Sequence, residues 1–448
     1  MGKRILMSRM ISTGRTLNYL RQIKGAVFYR AVAMAASFLV IPIMIRYLGQ
    51  EQFGVWSTLL TVMSWIVFFD LGIGHGLRNK VAESLAKNDP KEAAGFVASG
   101  YTMIGFVALV MWALVTLASY FLPWQAVFNT TVIPESTIRE TVQVAVFFVA
   151  LNFWIGLIGA LLGAVQKTAL VAFGQLVSNV LVLAFVYFLA KVADASIFGL
   201  AIVYGISLVA SNILLSVWFY MRYPELRPSA RLAAQHVRPL VAVGAQFFII
   251  QIAVLVIFTT DKMLITQLFG PEYVTQYEVV FKLFSLITFA HGLINTPLWS
   301  AYTDAYHRND FVWVKSMLKS QVLIFTGFAF AIGFLILTAP FIIELWIGEK
   351  FIVPGQLIVL MGLFTAVSVW NNVFAVFLNG IGEIRLQLYT SILAMLVNIP
   401  LSIFLAKNTA LGSGAVVAGT ICSLLLAAIC LPIQVCRLVN NSKGIFSI

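Results

Sequence analysis

Long apolar runs constrain this chain more than any other feature. Twelve of them succeed one another, near 26–47, 54–76, 95–121, 142–165, 168–190, 196–220, 239–260, 275–300, 316–342, 353–378, 386–406 and 411–435. A helix needs about 20 such residues to cross a hydrocarbon core about 30 Å thick. The runs are too long and too continuous for barrel strands, which alternate over about 10 residues. The sequence therefore predicts an all-α polytopic membrane protein with twelve transmembrane helices. Composition agrees: 61% of the 448 residues are apolar, only 10% are charged, and the mean hydropathy is +0.96. A soluble chain carries about 25% charge, so cytosolic enzymes, secreted disulfide scaffolds and nucleic-acid binders are excluded.

The formal charge of +12 becomes topology once each Lys and Arg is assigned to a side. With the N-terminus inside, 21 of the 29 fall on the cytoplasmic face. Six precede Gly25, and the rest run from Arg78 and Lys80 through Arg222, Arg238 and Arg308 to Arg437 and Lys443. Six fall outside: Arg46, Arg139, Lys191, Lys262, Lys350 and Lys407. Such a bias is what orients membrane helices, and it predicts that both termini are cytoplasmic. The basic start followed by AVAMAAS has some look of a signal peptide, but the apolar run continues through Ile45, so a retained first helix is expected. Cys422, Cys430 and Cys436 lack metal-ligand spacing and are expected to be buried thiols.

Two halves leave a trace. A shift of 221 residues aligns 49–89 with 270–310 without a gap, matching Gly49/Gly270, Glu51/Glu272, Ser64/Ser285, Asn88/Asn309 and Asp89/Asp310, with the acidic pair Glu83/Asp304 in step. Six spans per half give both halves one orientation. The expected layout is an N-terminal lobe over 1–220, a cytoplasmic linker over 221–238 that is rich in Arg and Pro, and a C-terminal lobe over 239–448. Two pseudo-symmetric six-helix lobes around a central cavity suit alternating access.

The segment YLGQEQFGVW (47–56), followed by DLGIGHGLRNKVAESLAKND (70–89), resembles the polysaccharide-transporter family of Wzx-type O-antigen flippases. That family shares the multidrug/oligosaccharidyl-lipid/polysaccharide exporter superfamily with the multidrug and toxin extrusion transporters and the lipid II flippases. The motif covers about 40 residues; span count, lobe division and length agree over the whole chain. The resemblance implies a bacterial inner-membrane flippase for undecaprenyl-diphosphate-linked oligosaccharide. It also implies a monomer, with glycan polymerase or ligase machinery as candidate partners.

Ionisable groups within the spans need a reason, since each costs about 2.5–3.5 kcal/mol on insertion scales. Arg30 and Asp70 fall at similar depth in the first two spans. They fit either a structural ion pair or a guanidinium facing a diphosphate with the carboxylate holding it in place. Lys282 lies in the eighth span on one face with Glu278 and Ser285, beside a neighbouring face of Thr288, His291 and Asn295. Such a polar sweep must face protein or water. Lys282 is then either the partner of Glu278 at i,i+4 or an anchor for phosphate or glycan. Asp261 and Lys262, at the outer end of the seventh span, read as an interfacial pair or as cavity residues. His291 is, with Asp70, a candidate for ion coupling. Asn371, Asn372, Asn379 and Asn398 either bind sugar hydroxyls or link helices. Pro42, Pro297 and Pro400 permit bending within their spans.

No Walker A, dinucleotide or HExxH sequence occurs, so no cofactor, no metal and no enzymatic chemistry is expected. An ion-coupled drug/cation antiporter is the rival reading, and it would want a carboxylate in the first span, where Arg30 stands instead. A glycan polymerase would want a large catalytic outer loop, whereas 122–141 holds only Glu135, Arg139 and Glu140 as charges.

Overall fold

A computed structural model describes residues 2–67, 73–228, 259–349 and 351–441, and every regular element among them is helical. Helices α1 (Gly2–Val67), α2 (Ile73–Ala86), α3 (Pro90–Ala118), α4 (Trp124–Val127), α5 (Glu135–Ile155), α6 (Ile158–Ala164), α7 (Thr168–Val192) and α8 (Ile197–Arg222) precede a short 3₁₀ turn, Pro224–Leu226. Helices α9 (Asp261–Leu268), α10 (Pro271–His307), α11 (Phe311–Ile347), α12 (Gly355–Ile381), α13 (Arg385–Asn408) and α14 (Gly414–Asn441) follow. Among the described residues, ten helical stretches are long and apolar enough to cross a membrane. The first, Lys24–Trp65, has 42 residues, about twice the length one crossing needs. Its helical geometry is interrupted at Gly49, with φ 76° and ψ 172°, which is where the sequence divides its first two predicted spans. The helix continues through Pro42, so the break falls at the glycine and not at the proline. The seventh predicted span, 239–260, lies almost wholly outside the described residues.

The outward faces are apolar. Along α11, Phe330, Phe334, Leu337, Phe341 and Leu345 are each about 70–80% exposed at helical spacing. Such a stripe is a liability in water and the expected surface toward hydrocarbon. The chain is a multi-pass membrane protein. The same logic corrects one expectation: Cys422 and Cys436 are exposed and Cys430 is half-buried. A thiol on a membrane helix is small and apolar enough to stand on the outer face, so apolar surroundings did not require burial.

The chain forms two compact units, Met1–Gly49 with Val62–Val127 and Thr131–Ile249, and Gln50–Thr61 with Phe128–Thr130 and Ile250–Ile448. In the first, Leu77 and Val81 of α2 pack among Val97 and Ile104 of α3, Leu161 of α6 and Phe219 of α8. In the second, Tyr302 of α10 stands edge-on to Phe377 of α12 and Trp313 of α11, with Leu431 and Val435 of α14 in the same core.

Matched positions of the repeat share backbone geometry. Gly49 and Gly270 both have positive φ, and Asn88 and Asn309 both have φ 58°. The helices they end close alike: Asp89 N donates to the Ser84 carbonyl at 3.0 Å, and Asp310 N to Ala305 at 2.9 Å. Asn tolerates this left-handed position better than most residues with a side chain. Asp89 and Asp310 then cap the next helices by accepting from Glu92 N and Trp313 N at 2.9 and 3.0 Å. Glu83 pairs with Lys87 at 2.7 Å, and its counterpart Asp304 pairs with Arg308 at 2.9 Å. Hydrogen bonds from Lys80, then Lys87, hold the Glu83 carboxyl down at about 2.

Within the second unit, the stretch Gln50–Thr61 crosses the start of α10 in a reciprocal way. A Cβ at Gly54 would overlap the Pro271 carbonyl, and Thr275 Oγ1 donates to the Gln50 carbonyl at 2.6 Å. Position 54 corresponds to 275 under the 221-residue shift, and 50 to 271. Each segment therefore meets the other through equivalent residues.

Candidate functional site

The second unit gathers most of the ionisable residues singled out above. Lys262 on α9 reaches Glu278 on α10, with Nζ 2.6 Å from Oε2 and both side chains 18% exposed. That oxygen makes no well-angled hydrogen bond, so the contact is one of charge. Lys262 Nζ also donates to Ser57 Oγ at 3.1 Å, and Ser57 is the repeat counterpart of Glu278. Lys282 is half-buried one turn along α10 from Glu278, within electrostatic reach of both Glu278 and Lys262. Two ammonium groups thus lie within reach of one carboxylate and of each other. The sequence alone linked Glu278 to Lys282 by spacing and did not foresee Lys262, whose approach depends on tertiary packing.

Asp261 and Lys262 do not form a pair with each other. Adjacent helical residues point about 100° apart, and these two find separate partners. Asp261 is buried, accepts from Thr420 Oγ1 of α14 at 3.0 Å, and accepts from Tyr277 OH of α10 at 3.3 Å. Asn398 of α13 donates to the same Thr420 hydroxyl at 3.0 Å. Farther along α10, Asn295 donates to Asn372 Oδ1 at 2.7 Å, beside the buried His291 ring. The ring packs edge-on to Phe328. Asn371 donates to the Leu424 carbonyl at 3.3 Å. Asn371, Asn372 and Asn398 each hydrogen-bond to a neighbouring helix.

In the first unit, Arg30 stands exposed on α1. Asp70, its expected neighbour, lies outside the described residues. Three amides that the sequence reading passed over, Asn152, Gln175 and Asn212, face a cavity of about 370 Å³ among α5–α8. No spacing rule marks them, because their grouping comes from packing.

These features define an all-helical membrane fold with ionisable side chains held inside its second unit. Solved structures show the same fold. An inward-facing multidrug resistance MATE family transporter of the MOP superfamily aligns over 94% of this chain and all of its own, with a TM-score of 0.78 at 14% identity. A MOP superfamily transporter from Pyrococcus furiosus aligns over 94% and 96%, with a TM-score of 0.65 at 15% identity. The family follows from sequence: residues 25–302 match the polysaccharide biosynthesis protein family, and the chain belongs to it. Residues 247–404 also match the MatE family model. A Salmonella typhimurium protein named for O-antigen transport is 22% identical over 357 residues, spanning 77% of this chain and 80% of its own. A Yersinia pseudotuberculosis protein named for O-antigen export is 21% identical over 369 residues, spanning 80% and 82%.

Proposed function

We propose that this protein is a flippase, and not an enzyme, that carries undecaprenyl-diphosphate-linked oligosaccharide, an O-antigen or related surface-glycan repeat unit, outward across the bacterial inner membrane by alternating access. The observation that carries the reading is the pair of ammonium groups, Lys262 and Lys282, held within electrostatic reach of each other in the second unit. A carrier of anionic head groups needs positive charge held inside its helices, and a carrier of cations does not. Family membership and the named activities of the O-antigen relatives point the same way. In this mechanism Lys282 anchors phosphate oxygens, Lys262 stays oriented by Glu278, and the polyprenyl tail remains in lipid. Asp261 and Asn295 hold the surrounding helices through hydrogen bonds. Asp70 and His291 are the candidates for ion coupling, and Arg30 for a further contact with the diphosphate. Both termini are cytoplasmic.

The rival is a drug/cation antiporter of the multidrug and toxin extrusion type, favoured by the shared fold and by the buried carboxylate of Asp261. Deleting the protein and analysing lipid-linked oligosaccharide on each leaflet separates the two. The flippase reading expects the repeat unit to accumulate on the cytoplasmic leaflet; an antiporter leaves it unchanged and raises drug sensitivity.

A further inference from the structure

The first unit contains a cavity that the charge cluster does not explain. It lies where the α5 helix ends at Gly156 and α6 begins, and α7 and α8 close it. Asn212 Nδ2 donates to Asn152 Oδ1 at 2.7 Å, and Gln175 Nε2 to Asn179 Oδ1 at 2.9 Å. All three residues line the cavity, and among the described residues Asn152 Nδ2, Asn212 Oδ1 and Gln175 Oε1 take no part in these two bonds. Amide ends on a cavity wall can hydrogen-bond whatever fills it, water or the hydroxyl groups of a polar ligand. Among the described residues no charged side chain lines the cavity, and Phe153 and Leu208 supply apolar walls. Volumes of about 300–1,000 Å³ are typical of ligand sites.

Among the described residues, Arg78 brings a cation to the edge. Arg78 lies one helical turn beyond the lining residue Gly74, and its Cδ and Nε would come within 3.0 Å of a Cβ placed on Gly163. Gly163 in turn lies one turn beyond Gly159, which lines the cavity. The missing side chain at Gly163 is what lets the guanidinium lie against α6. Arg78 is exposed and has no ion-pair partner among the described residues. A guanidinium fork matches phosphate oxygens bidentately.

We infer that this cavity is a saccharide subsite: the amides bind hydroxyl or acetamido groups of the sugar nearest the lipid, and Arg78 holds the diphosphate next to it. The inference rests on the flippase reading for its ligand. Its test is binding by the full chain in lipid nanodiscs. The probes are undecaprenol, undecaprenyl diphosphate, and undecaprenyl diphosphate bearing one N-acetylhexosamine. The wild type should bind the sugar-bearing lipid about tenfold tighter than the bare diphosphate, as one or two hydrogen bonds allow. Gly159→Phe fills the cavity from a position with no atom within 4 Å, and should erase that preference while leaving binding of the bare diphosphate. The near-isosteric double variant Asn152→Leu/Asn212→Leu should do the same and guards against a misfolded Gly159→Phe. Arg78→Gln should weaken both diphosphates about tenfold and keep their ratio. The subsite is overturned if both cavity variants retain the preference for sugar, or if Arg78→Gln changes nothing. If the wild type binds the diphosphates no better than undecaprenol, the flippase reading itself falls, and the subsite with it.

Discussion

Lys262 and Glu278 show how a side chain's role depends on who its neighbour is. The 18% exposure of each leaves little water to solvate either charge. Removing one partner takes away the other's closest counter-charge, and a charged group left poorly met costs about 1–3 kcal/mol. Glu278→Gln and Lys262→Met should therefore each lower the thermal midpoint in detergent, while the double variant recovers part of the loss. Additive losses would mean the two do not interact. Lys282 has a different expected signature. Lys282→Ala should leave protein abundance near wild type yet weaken binding of undecaprenyl diphosphate about tenfold. Normal binding and normal glycan export by that variant would remove Lys282 from the mechanism.

Glycines separate two physical demands at the level of elements. Gly54 has no room for a Cβ because α1 meets the Pro271 carbonyl at the start of α10. Gly54→Ala should destabilise by about 1–3 kcal/mol through overpacking. Gly49 has open space but a φ of 76° with ψ 172°, so Gly49→Ala should cost about 1–3 kcal/mol from the backbone conformation alone. Thermal unfolding of the pair distinguishes the causes, since repacking neighbours can relieve the first and not the second. The repeat adds a further test. Asp89 and Asp310 make the same cap at matched positions, so Asp89→Ala and Asp310→Ala should each lose about 1 kcal/mol. Unequal losses would show that equivalent geometry hides unequal packing. These turns were legible in advance as Asn-Asp pairs 221 residues apart. The crossing of Gly54 and Pro271 was not, because nothing in a local pattern says which helix will approach a given glycine.

For the whole molecule, the placement of 21 of 29 basic residues on one side predicts where the ends lie. Reporter fusions at the C-terminus should be active as cytoplasmic fluorescent proteins and silent as periplasmic phosphatases; the reverse pattern would refute the assignment. Apolar runs and loop charges determined the class, the helical architecture and the expected sidedness, because bilayer thickness and backbone hydrogen bonding act on every residue in turn and need no partner. The family, too, was readable from the 47–56 and 70–89 segments, since a motif is a local string. Only tertiary structure decided that Lys262 and not Lys282 makes the close ion pair with Glu278. It likewise decided that Asp261 is held by two hydroxyls, that Asn398 links helices, and that three amides share a cavity in the first unit. Those outcomes depend on residues up to 159 positions apart. Contacts at that range are set by how helices pack, a property of the assembled bundle that no single helix carries.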